Sequence, residues 1–355
     1  MYKLLIFYYN NELIPVLENA DLISNNISDI NVISFQDVNN SFQDKRIRFT
    51  NIDYLYESIL NSDIIWIFDS KETGNIDIYI DNCISIAMNH NKEIIWGSSK
   101  NISNELSKYD LLKDITIVNS NLEYNLDSKN ELLDIDTPIV FILGLSENTN
   151  KYATLLKIHK DLKKNNFDVY SLSARNSKDF NDINILPKFI YDKTISLSDK
   201  ILLFNHYIYM LEKTYKPEII LIEIPGGFGV FSKKLTNNFG EFLFIASNAL
   251  LSDFNILNIP LEDYNQSDFD NMNKFINNRF NLNIDIFNII PKRLCFAESE
   301  RTHKFSYLSL DNDIVDKFIE KFDNNQNIFN DNNIKVSLAN EIIKVLTYYS
   351  SNNLL

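Results

Sequence analysis

The chain has 355 residues, more than one hydrophobic core usually organises, so two domains are expected. Hydrophobic residues make up 45% of the sequence, which supplies material for buried cores and argues against a disordered protein. The formal net charge of −14 argues against sequence-independent binding of nucleic acid, because that affinity depends on neutralising phosphates.

The two cysteines, Cys83 and Cys295, lie far apart and belong to no paired metal-ligand motif. This argues against a disulfide framework or a zinc site and favours a reducing cytoplasm as the location. The first residues lack a basic start and a small-residue cleavage site, so we expect a β-strand there and no signal peptide. No apolar run approaches the ~20 residues that a membrane span needs, so no membrane partner is expected.

Strands and helices alternate over residues 1–130, which indicates a Rossmann-like α/β domain with a parallel sheet. The predicted strands are Lys3–Tyr8, Ile30–Phe35, Ile64–Phe68, Glu93–Trp96 and Ile115–Val118. The predicted helical segments are Glu12–Leu22, Ile52–Leu60 and Asp77–Asn89. No G-x-G-x-x-G follows the first strand, which argues against a dinucleotide site. Asp69, at a strand end, would contact a ribose or cap the next turn.

Residues 119–137 are polar and acidic and precede a proline, so we place the domain boundary near residue 130. Residues 131–355 are predicted to form a second parallel-sheet α/β domain. Its predicted strands are Pro138–Leu143, Val169–Leu172, Glu218–Ile224, Phe254–Ile259, Ile284–Ile290 and Phe305–Leu310. Its predicted helices are Lys151–Asn165, Leu197–Tyr215, Phe239–Leu251, Asp268–Phe280, Asp313–Phe322 and Ser337–Tyr348.

Lys151 follows a buried strand and a loop and stands at the start of a helix, an arrangement that binds phosphate. The N–H groups of a helix N-terminus favour an anion, and a lysine adds a full positive charge. The working motif, G-x-x-x-x-G-K-[ST], uses glycines to wrap the phosphates and a hydroxyl to hold Mg²⁺. Here Leu145 and Asn150 stand at the glycine positions and Tyr152 at the hydroxyl position, while Gly144 is one residue too early.

The altered loop keeps polar side chains that could hold a phosphate or another anion. Asparagine and threonine donate hydrogen bonds, and asparagine tolerates left-handed backbone better than most residues. The predicted phosphate-binding residues of this loop are Gly144, Asn148, Thr149, Asn150 and Lys151. The alternative is an ordinary strand–loop–helix in which Lys151 is a solvated charge.

Three of the seven glycines, Gly226, Gly227 and Gly229, cluster after the buried strand Glu218–Ile224. Glycine serves where the backbone takes a positive φ or approaches another group closely. Glu223, at the carboxyl end of that strand, resembles the Walker B residue that orients Mg²⁺ or its water. Ligands of open α/β sheets bind at the carboxyl ends of strands, so both loops are predicted to face one crevice. The alternative is a tight turn in which Glu223 caps a helix or pairs with a cation.

Charged residues are also concentrated in the segment 295–305, at Glu298, Glu300, Arg301 and His303. A lid or partner surface is one interpretation, and a solvated loop with internal ion pairs is the preferred one. His159 shares a predicted helix face with apolar residues, which favours a packed histidine over a metal ligand.

The loop 144–151 and the later segment 222–227 are similar to those of divergent P-loop NTPases related to the signal-recognition and MinD-type enzymes. The whole arrangement, with the segment 246–260, also resembles the clostridial peptide-maturation-system proteins. The resemblance implies a cytoplasmic accessory protein in natural-product peptide biosynthesis. Its expected partners are a precursor peptide, a radical-SAM maturase or an acyl-carrier-like protein.

Three functional hypotheses follow. The first is an accessory or binding protein for maturation of a ribosomally made peptide, with a degenerate phosphate-binding site. The second is an active P-loop enzyme, ligase-like or hydrolase, that uses Mg-ATP or Mg-GTP, with Lys151 on the phosphates and Glu223 organising Mg²⁺. That enzyme needs a metal-holding hydroxyl near Lys151, from Ser146, Thr149 or Thr154. The third is a scaffold that docks other proteins through exposed apolar patches.

Overall fold

Strands and helices alternate along the chain, as the computed structural model describes it over residues 1–10, 13–23, 26–38, 42–68, 76–96, 115–116, 131–174, 182–322, 327–330 and 337–352. The chain divides into two compact units, the first formed mainly by Met1–Asn121 and the second mainly by Leu122–Ser173 with Leu186–Leu355. The boundary predicted near residue 130 lies outside the described residues.

The first sheet has six strands, which are β1 Tyr2–Phe7, β2 Ile27–Ser34, β3 Ile47–Asn51, β4 Ile64–Ile67, β5 Glu93–Trp96 and β6 Ile115–Thr116. Its α-helices are α1 Ile14–Glu18, α2 Leu55–Leu60 and α3 Ile76–Asn89. The strand order is β3-β2-β1-β4-β5-β6 and each neighbouring pair is parallel. This is the strand order of a Rossmann fold.

The predicted strands of the first sheet are confirmed, and β3 is an addition to them. The strand β3, IRFTN, lies at the edge of the sheet and only its first residue is buried. Its sequence therefore lacks the apolar run of a central strand. Asp69 lies outside the described residues.

The second sheet has seven strands, which are β7 Ile139–Gly144, β8 Val169–Ser173, β9 Ile183–Ile185, β10 Ile219–Glu223, β11 Phe254–Pro260, β12 Ile286–Ile290 and β15 Ile328–Phe329. A separate antiparallel hairpin pairs β13 Lys292–Leu294 with β14 Tyr307–Ser309. The α-helices are α4 Lys151–Lys164, α5 Leu197–Tyr215, α6 Glu241–Ala249, α7 Gln266–Phe280, α8 Phe296–Thr302, α9 Asn312–Ile319 and α10 Leu338–Asn352.

The strand order of the second sheet is β15-β12-β11-β7-β10-β8-β9, with β7 at the centre between β10 and β11. Both of these neighbours run parallel to β7, and every residue of the three strands is buried. Strands that are buried along their whole length suit the centre of a sheet that is covered on both faces. The loops that follow the three strands therefore leave the sheet at one edge.

Two predictions for the second unit need correction. The helix predicted from Phe239 begins at Glu241, because residues 237–240 all have positive φ values and cannot continue a right-handed helix. The segment 295–305, predicted as a loop, contains α8. Within the described residues, no helix combines the length and apolarity needed to cross a bilayer.

Candidate functional site

The candidate site lies at the carboxyl edge of the second sheet, where the chain leaves β7, β10 and β11. The loop after β7 runs from Leu145 to Asn150 and enters α4, and the glycine-rich loop follows β10. The paired strands bring the two loops together, since Glu223 of β10 lies opposite Ile142 of β7. The order of the strands thus places the two predicted motifs side by side.

Lys151 joins the two loops through its ammonium group. It is the first residue of α4, and only 6% of its surface is exposed. Its Nζ donates hydrogen bonds to the Ser146 carbonyl at 3.3 Å and to the Gly226 carbonyl at 2.7 Å. A full positive charge therefore lies at the N-terminal end of a helix, where the helix dipole is also positive.

Two asparagines with left-handed backbone shape the loop after β7, and one of them, Asn150, stands where a phosphate-binding loop uses glycine. Asn148 and Asn150 have φ values of 60° and 53°, in the left-handed region that asparagine tolerates. Gly144 is needed for a different reason, because an added Cβ would lie 2.8 Å from the Ser146 carbonyl oxygen. Asn150 precedes α4 without a side-chain cap, so its side chain makes no hydrogen bond to the first turn of the helix.

The three hydroxyls that the sequence offered for a metal each bind a partner other than Glu223. Thr149 Oγ1 donates to the Ser146 carbonyl at 3.0 Å. Thr154 Oγ1 accepts hydrogen bonds from two buried asparagines of β11 and β12, and Ser146 Oγ bonds the Tyr307 hydroxyl. Tyr152, at the usual hydroxyl position, is buried in the core.

Glu223 is buried and binds a hydroxyl that the sequence reasoning missed. The Ser173 Oγ, at the last residue of β8, donates to Glu223 Oε2. Partial burial of the Tyr191 phenol raises its pKa, and the nearby Glu223 carboxylate raises that pKa further. Because Ser173 ends the neighbouring strand β8, the Glu223 carboxylate lies on the side of β10 that faces β8, at the same edge of the sheet as Lys151. The position of Ser173 at the end of a predicted strand indicates this pairing only when β8 and β10 are known to be neighbours.

The glycine-rich loop needs two of its glycines for different reasons. Gly226 has a φ of 70°, which disfavours a residue with a side chain. A Cβ at Gly227 would lie 2.5 Å from the Leu145 carbonyl oxygen and still closer to the Asn237 amide nitrogen. Gly229 lies instead beside the Phe275 ring, where an added Cβ would meet that ring at 3.3 Å. Gly227 thus adjoins the β7 loop, and Gly226 is connected to the start of α4 through the Lys151 ammonium.

Asn237 is a further link between the loops. Its Nδ2 donates to the Leu145 carbonyl at 2.9 Å, and the residue is 8% exposed. Its Oδ1 is buried and finds no hydrogen-bond donor among the residues that the structure describes. The φ values of Asn237, Asn238 and Phe239 are 54°, 48° and 56°, so the residue belongs to a left-handed turn.

Two buried asparagines inside the sheet fix the start of α4. Asn258 Nδ2, on β11, donates to the Thr149 carbonyl and to Thr154 Oγ1, both at 2.9 Å. Asn288 Nδ2, on β12, donates to Asn258 Oδ1 at 3.0 Å and to Thr154 Oγ1 at 3.2 Å. Both asparagines are fully buried, so their amides satisfy one another and the loop instead of water.

The β13–β14 hairpin closes the other side of the β7 loop. Lys292 Nζ donates to the Asn148 carbonyl at 2.9 Å, and the Tyr307 hydroxyl donates to the Glu147 carbonyl at 3.1 Å. Since Tyr307 gives its single proton to Glu147, the Ser146 hydroxyl donates to Tyr307. Burial raises the pKa of Tyr307 to about 12, so the phenol stays protonated at neutral pH.

Two of the other titratable candidates, His159 and Arg301, have structural partners. His159 is 2% exposed and its Nδ1 lies 2.8 Å from Ser171 Oγ, in agreement with a packed histidine. Burial raises the pKa of the Cys83 thiol to about 12, which makes it a poor nucleophile. Arg301 forms an ion pair with Glu298 at 2.7 Å. Among the described residues, no group of three histidine, cysteine or acidic side chains could hold a metal ion.

The chain has the fold of a solved protein with a very different sequence. It is similar to the crystal structure of a DUF1611 family protein from Anabaena variabilis, with a TM-score of 0.51 and 10% sequence identity. The match covers 81% of this chain and 88% of that chain. No protein-family model matches the sequence, and no curated protein matches it significantly. The chain is therefore an α/β protein with Rossmann-like and P-loop-like parallel sheets.

Proposed function

We propose that the second unit binds a phosphate-bearing or other anionic ligand between the two loops, without hydrolysing it. The observation that carries the proposal is the Lys151 ammonium, which bridges the Ser146 and Gly226 carbonyls at the start of a 14-residue helix. These carbonyls bear only partial charges, and a charged acceptor forms stronger hydrogen bonds to an ammonium. An anion that enters the loop would gain from both the lysine and the helix N-terminus.

The placement of the hydroxyls favours binding over hydrolysis. In a working loop, Mg²⁺ is held by the hydroxyl of the residue that follows the lysine. Here that residue is Tyr152, whose side chain is buried in the core and cannot hold a metal in the loop. Ser146, Thr149 and Thr154 bind other groups. The side chains Asn148, Thr149 and Asn150, with Gly144, would shape the anion site around Lys151.

A Mg-dependent enzyme is the second candidate, and one observation favours it. Glu223 and Ser173 form a carboxylate–hydroxyl pair at the carboxyl ends of neighbouring strands. Both groups are oxygen ligands of the kind that Mg²⁺ takes, usually together with substrate phosphates. In this alternative Glu223 and Ser173 would organise the Mg²⁺ of Mg-ATP or Mg-GTP, in a ligase-like or hydrolytic reaction.

We further propose that the protein is a cytoplasmic accessory factor in the maturation of a ribosomally made peptide. The support is the resemblance of the segments 144–151, 222–227 and 246–260 to clostridial peptide-maturation proteins. The partners in this role would be the precursor peptide, a radical-SAM maturase or an acyl-carrier-like protein. The two free cysteines, one of them buried, agree with a reducing compartment.

Thermal shift and calorimetry with Mg-ATP, Mg-GTP and pyrophosphate test the anion site. A ligand at 100 times its Kd should stabilise the wild type by about 2.7 kcal/mol. Lys151→Ala should remove most of this effect, because the bridging ammonium is lost. Lys164→Ala is the matched control, since it removes a 63% exposed lysine from the other end of the same helix.

The outcomes separate the two candidates. If none of the three anions stabilises the protein, the proposed anion site does not exist. If Lys151→Ala is stabilised as much as the wild type, the anion binds away from Lys151. If the protein releases phosphate from ATP or GTP, and if this activity requires both Glu223 and Ser173, then the protein is the Mg-dependent enzyme of the second candidate function.

A further inference from the structure

Three aromatic rings form a partly exposed cluster next to the candidate site. The Phe231 ring lies 6.1 Å from the Phe296 ring and 5.7 Å from the Phe305 ring, measured between centroids. Phe231 and Phe296 remain 36% and 48% exposed although they contact each other. Three lysines stand beside these rings in the sequence. We call the set the Phe231 surface, which consists of Phe231, Phe296, Phe305, Lys233, Lys234 and Lys304.

The backbone under this surface is fixed by hydrogen bonds. The N–H groups of Phe231 and Ser232 donate to the Leu235 carbonyl at 2.9 and 3.1 Å, and the Leu235 side chain is buried. This tight turn holds Lys233 and Lys234 exposed at its tip. On the other side, the Cys295 N–H donates to the Ser306 carbonyl at 2.9 Å and so fixes the base of α8. The surface is therefore presented without a large ordering cost.

The lysines give this surface a charge opposite to that of the whole chain. Lys233, Lys234 and Lys304 are exposed, and none of them forms an ion pair within the described residues. Of the two acidic residues of α8, Glu298 pairs with Arg301 at 2.7 Å, which leaves Glu300 against the three lysines. A locally basic patch in a chain of net charge −14 is complementary to an acidic partner.

We infer that the Phe231 surface docks an acidic peptide segment of another protein, anchored by an aromatic or aliphatic side chain. Aromatic side chains dominate the binding energy of protein interfaces, and Phe231 and Phe296 offer a pair of them for such an anchor. The lysines would steer acidic residues of the segment to the rim. Nucleic acid is a poor occupant, because the rest of the chain would repel it.

The docked segment would lie close to the anion site. The Phe305 ring stacks against Tyr307 with an interplanar angle of 17° and a centroid distance of 6.5 Å. The Tyr307 hydroxyl in turn bonds Ser146 and the Glu147 carbonyl of the β7 loop. The inference does not depend on that site, since the surface would bind its partner with or without an anion.

Display of random short peptides on phage, selected against the immobilised full-length protein, tests this inference. We expect enrichment of peptides that are net acidic and contain an aromatic or large aliphatic residue. Synthetic copies are then titrated by fluorescence anisotropy. Replacing Phe231 and Phe296 together by alanine should weaken binding by about ten-fold or more. Leu251→Ala, which truncates an 85% exposed apolar residue elsewhere, is the control and should change nothing.

A second variant keeps the test valid if the aromatic variant folds poorly. Replacing Lys233 and Lys234 by alanine changes only exposed side chains, and it should weaken binding and flatten its dependence on salt. The inference is overturned if the selected peptides are not acidic or bind both variants as well as the wild type. It is also overturned if the wild type self-associates and the aromatic variant does not, because the occupant would then be a second copy of this chain.

Discussion

A single carboxamide, that of Asn237, connects the β7 loop with the turn that leads into α6. Its Nδ2 donates to the Leu145 carbonyl, and its close approach leaves no room for a side chain at Gly227. The turn that presents it is left-handed over four successive residues, which is costly for residues other than glycine and asparagine. Position 237 thus combines a tolerated left-handed backbone with a buried donor, and asparagine meets both needs.

Replacing Asn237 by alanine should destabilise the protein more than the same change at Asn238. Both positions have left-handed φ values, 54° and 48°, so alanine costs about 1–2 kcal/mol of backbone energy at either. Only Asn237→Ala also removes a buried hydrogen bond and leaves the Leu145 carbonyl without that donor, a further ~1–3 kcal/mol. Urea unfolding of the two variants measures the difference. Equal losses would show that the Asn237 carboxamide contributes nothing to stability.

At the level of the elements, the sequence predicts the central strands well and the site only in part. The apolar runs of β7, β10 and β11 identify the strands, since fully buried parallel strands need such runs. The short strands β9, β13 and β15 have two or three residues each and give no periodicity to detect. The pairing of Glu223 with Ser173 depends on β10 lying between β7 and β8, which local patterns do not determine.

Local patterns do not predict the network of buried asparagines, for a related reason. Asn258 and Asn288 stand inside the strand sequences FNILNIP and IFNII, whose apolar residues predict buried strands but no partner for the two amides. Asparagine is disfavoured inside strands, so its presence in two neighbouring buried strands is itself a signal of a polar network. That signal becomes specific only when the pairing of Asn258 with Asn288 is known.

At the opposite edge of the second sheet, where its strands begin, a half-buried carboxyl group makes the stability depend on pH. Asp285 Oδ2 accepts the Asn255 N–H at 2.7 Å, just before β12 begins. Burial raises the pKa of Asp285 above its usual value of 3.8, and this hydrogen bond offsets part of the rise. The native state therefore binds the Asp285 proton more tightly than the unfolded chain does. Its contribution to stability is complete below pH 3.8 and is lost as pH rises through the raised native pKa.

Asp285→Asn should therefore stabilise the protein at pH 7 relative to the wild type. The asparagine keeps an oxygen for the Asn255 N–H and removes the partly desolvated charge, and the gain is below about 1 kcal/mol because water screens this half-buried group. The difference in unfolding free energy should vanish as the pH falls below 3.8. Asp270→Asn, at an exposed site on α7, corrects for removal of one negative charge from an acidic chain. A difference that is constant over pH would contradict this account.

At the scale of the whole molecule, each sheet has its own buried core. In the first unit Leu5, Phe7, Ile65 and Ile67 pack with Cys83 and other side chains of one cluster. The likeness to the Anabaena protein at 10% identity shows that very different sequences can adopt this architecture. Site residues depend on particular side chains, so they do not follow from that likeness.

The two units should therefore unfold in separate transitions when the full-length protein is heated in a calorimeter. An anion at 100 times its Kd should raise only the transition of the second unit, which contains Lys151, by roughly 5–10 °C, since about 2.7 kcal/mol is added to a unit of this size. Ile65→Ala identifies the other transition, because truncating a fully buried residue of the first core costs about 2–5 kcal/mol and lowers that transition alone. A single transition that moves with both the anion and Ile65→Ala would mean that the two cores unfold as one cooperative unit.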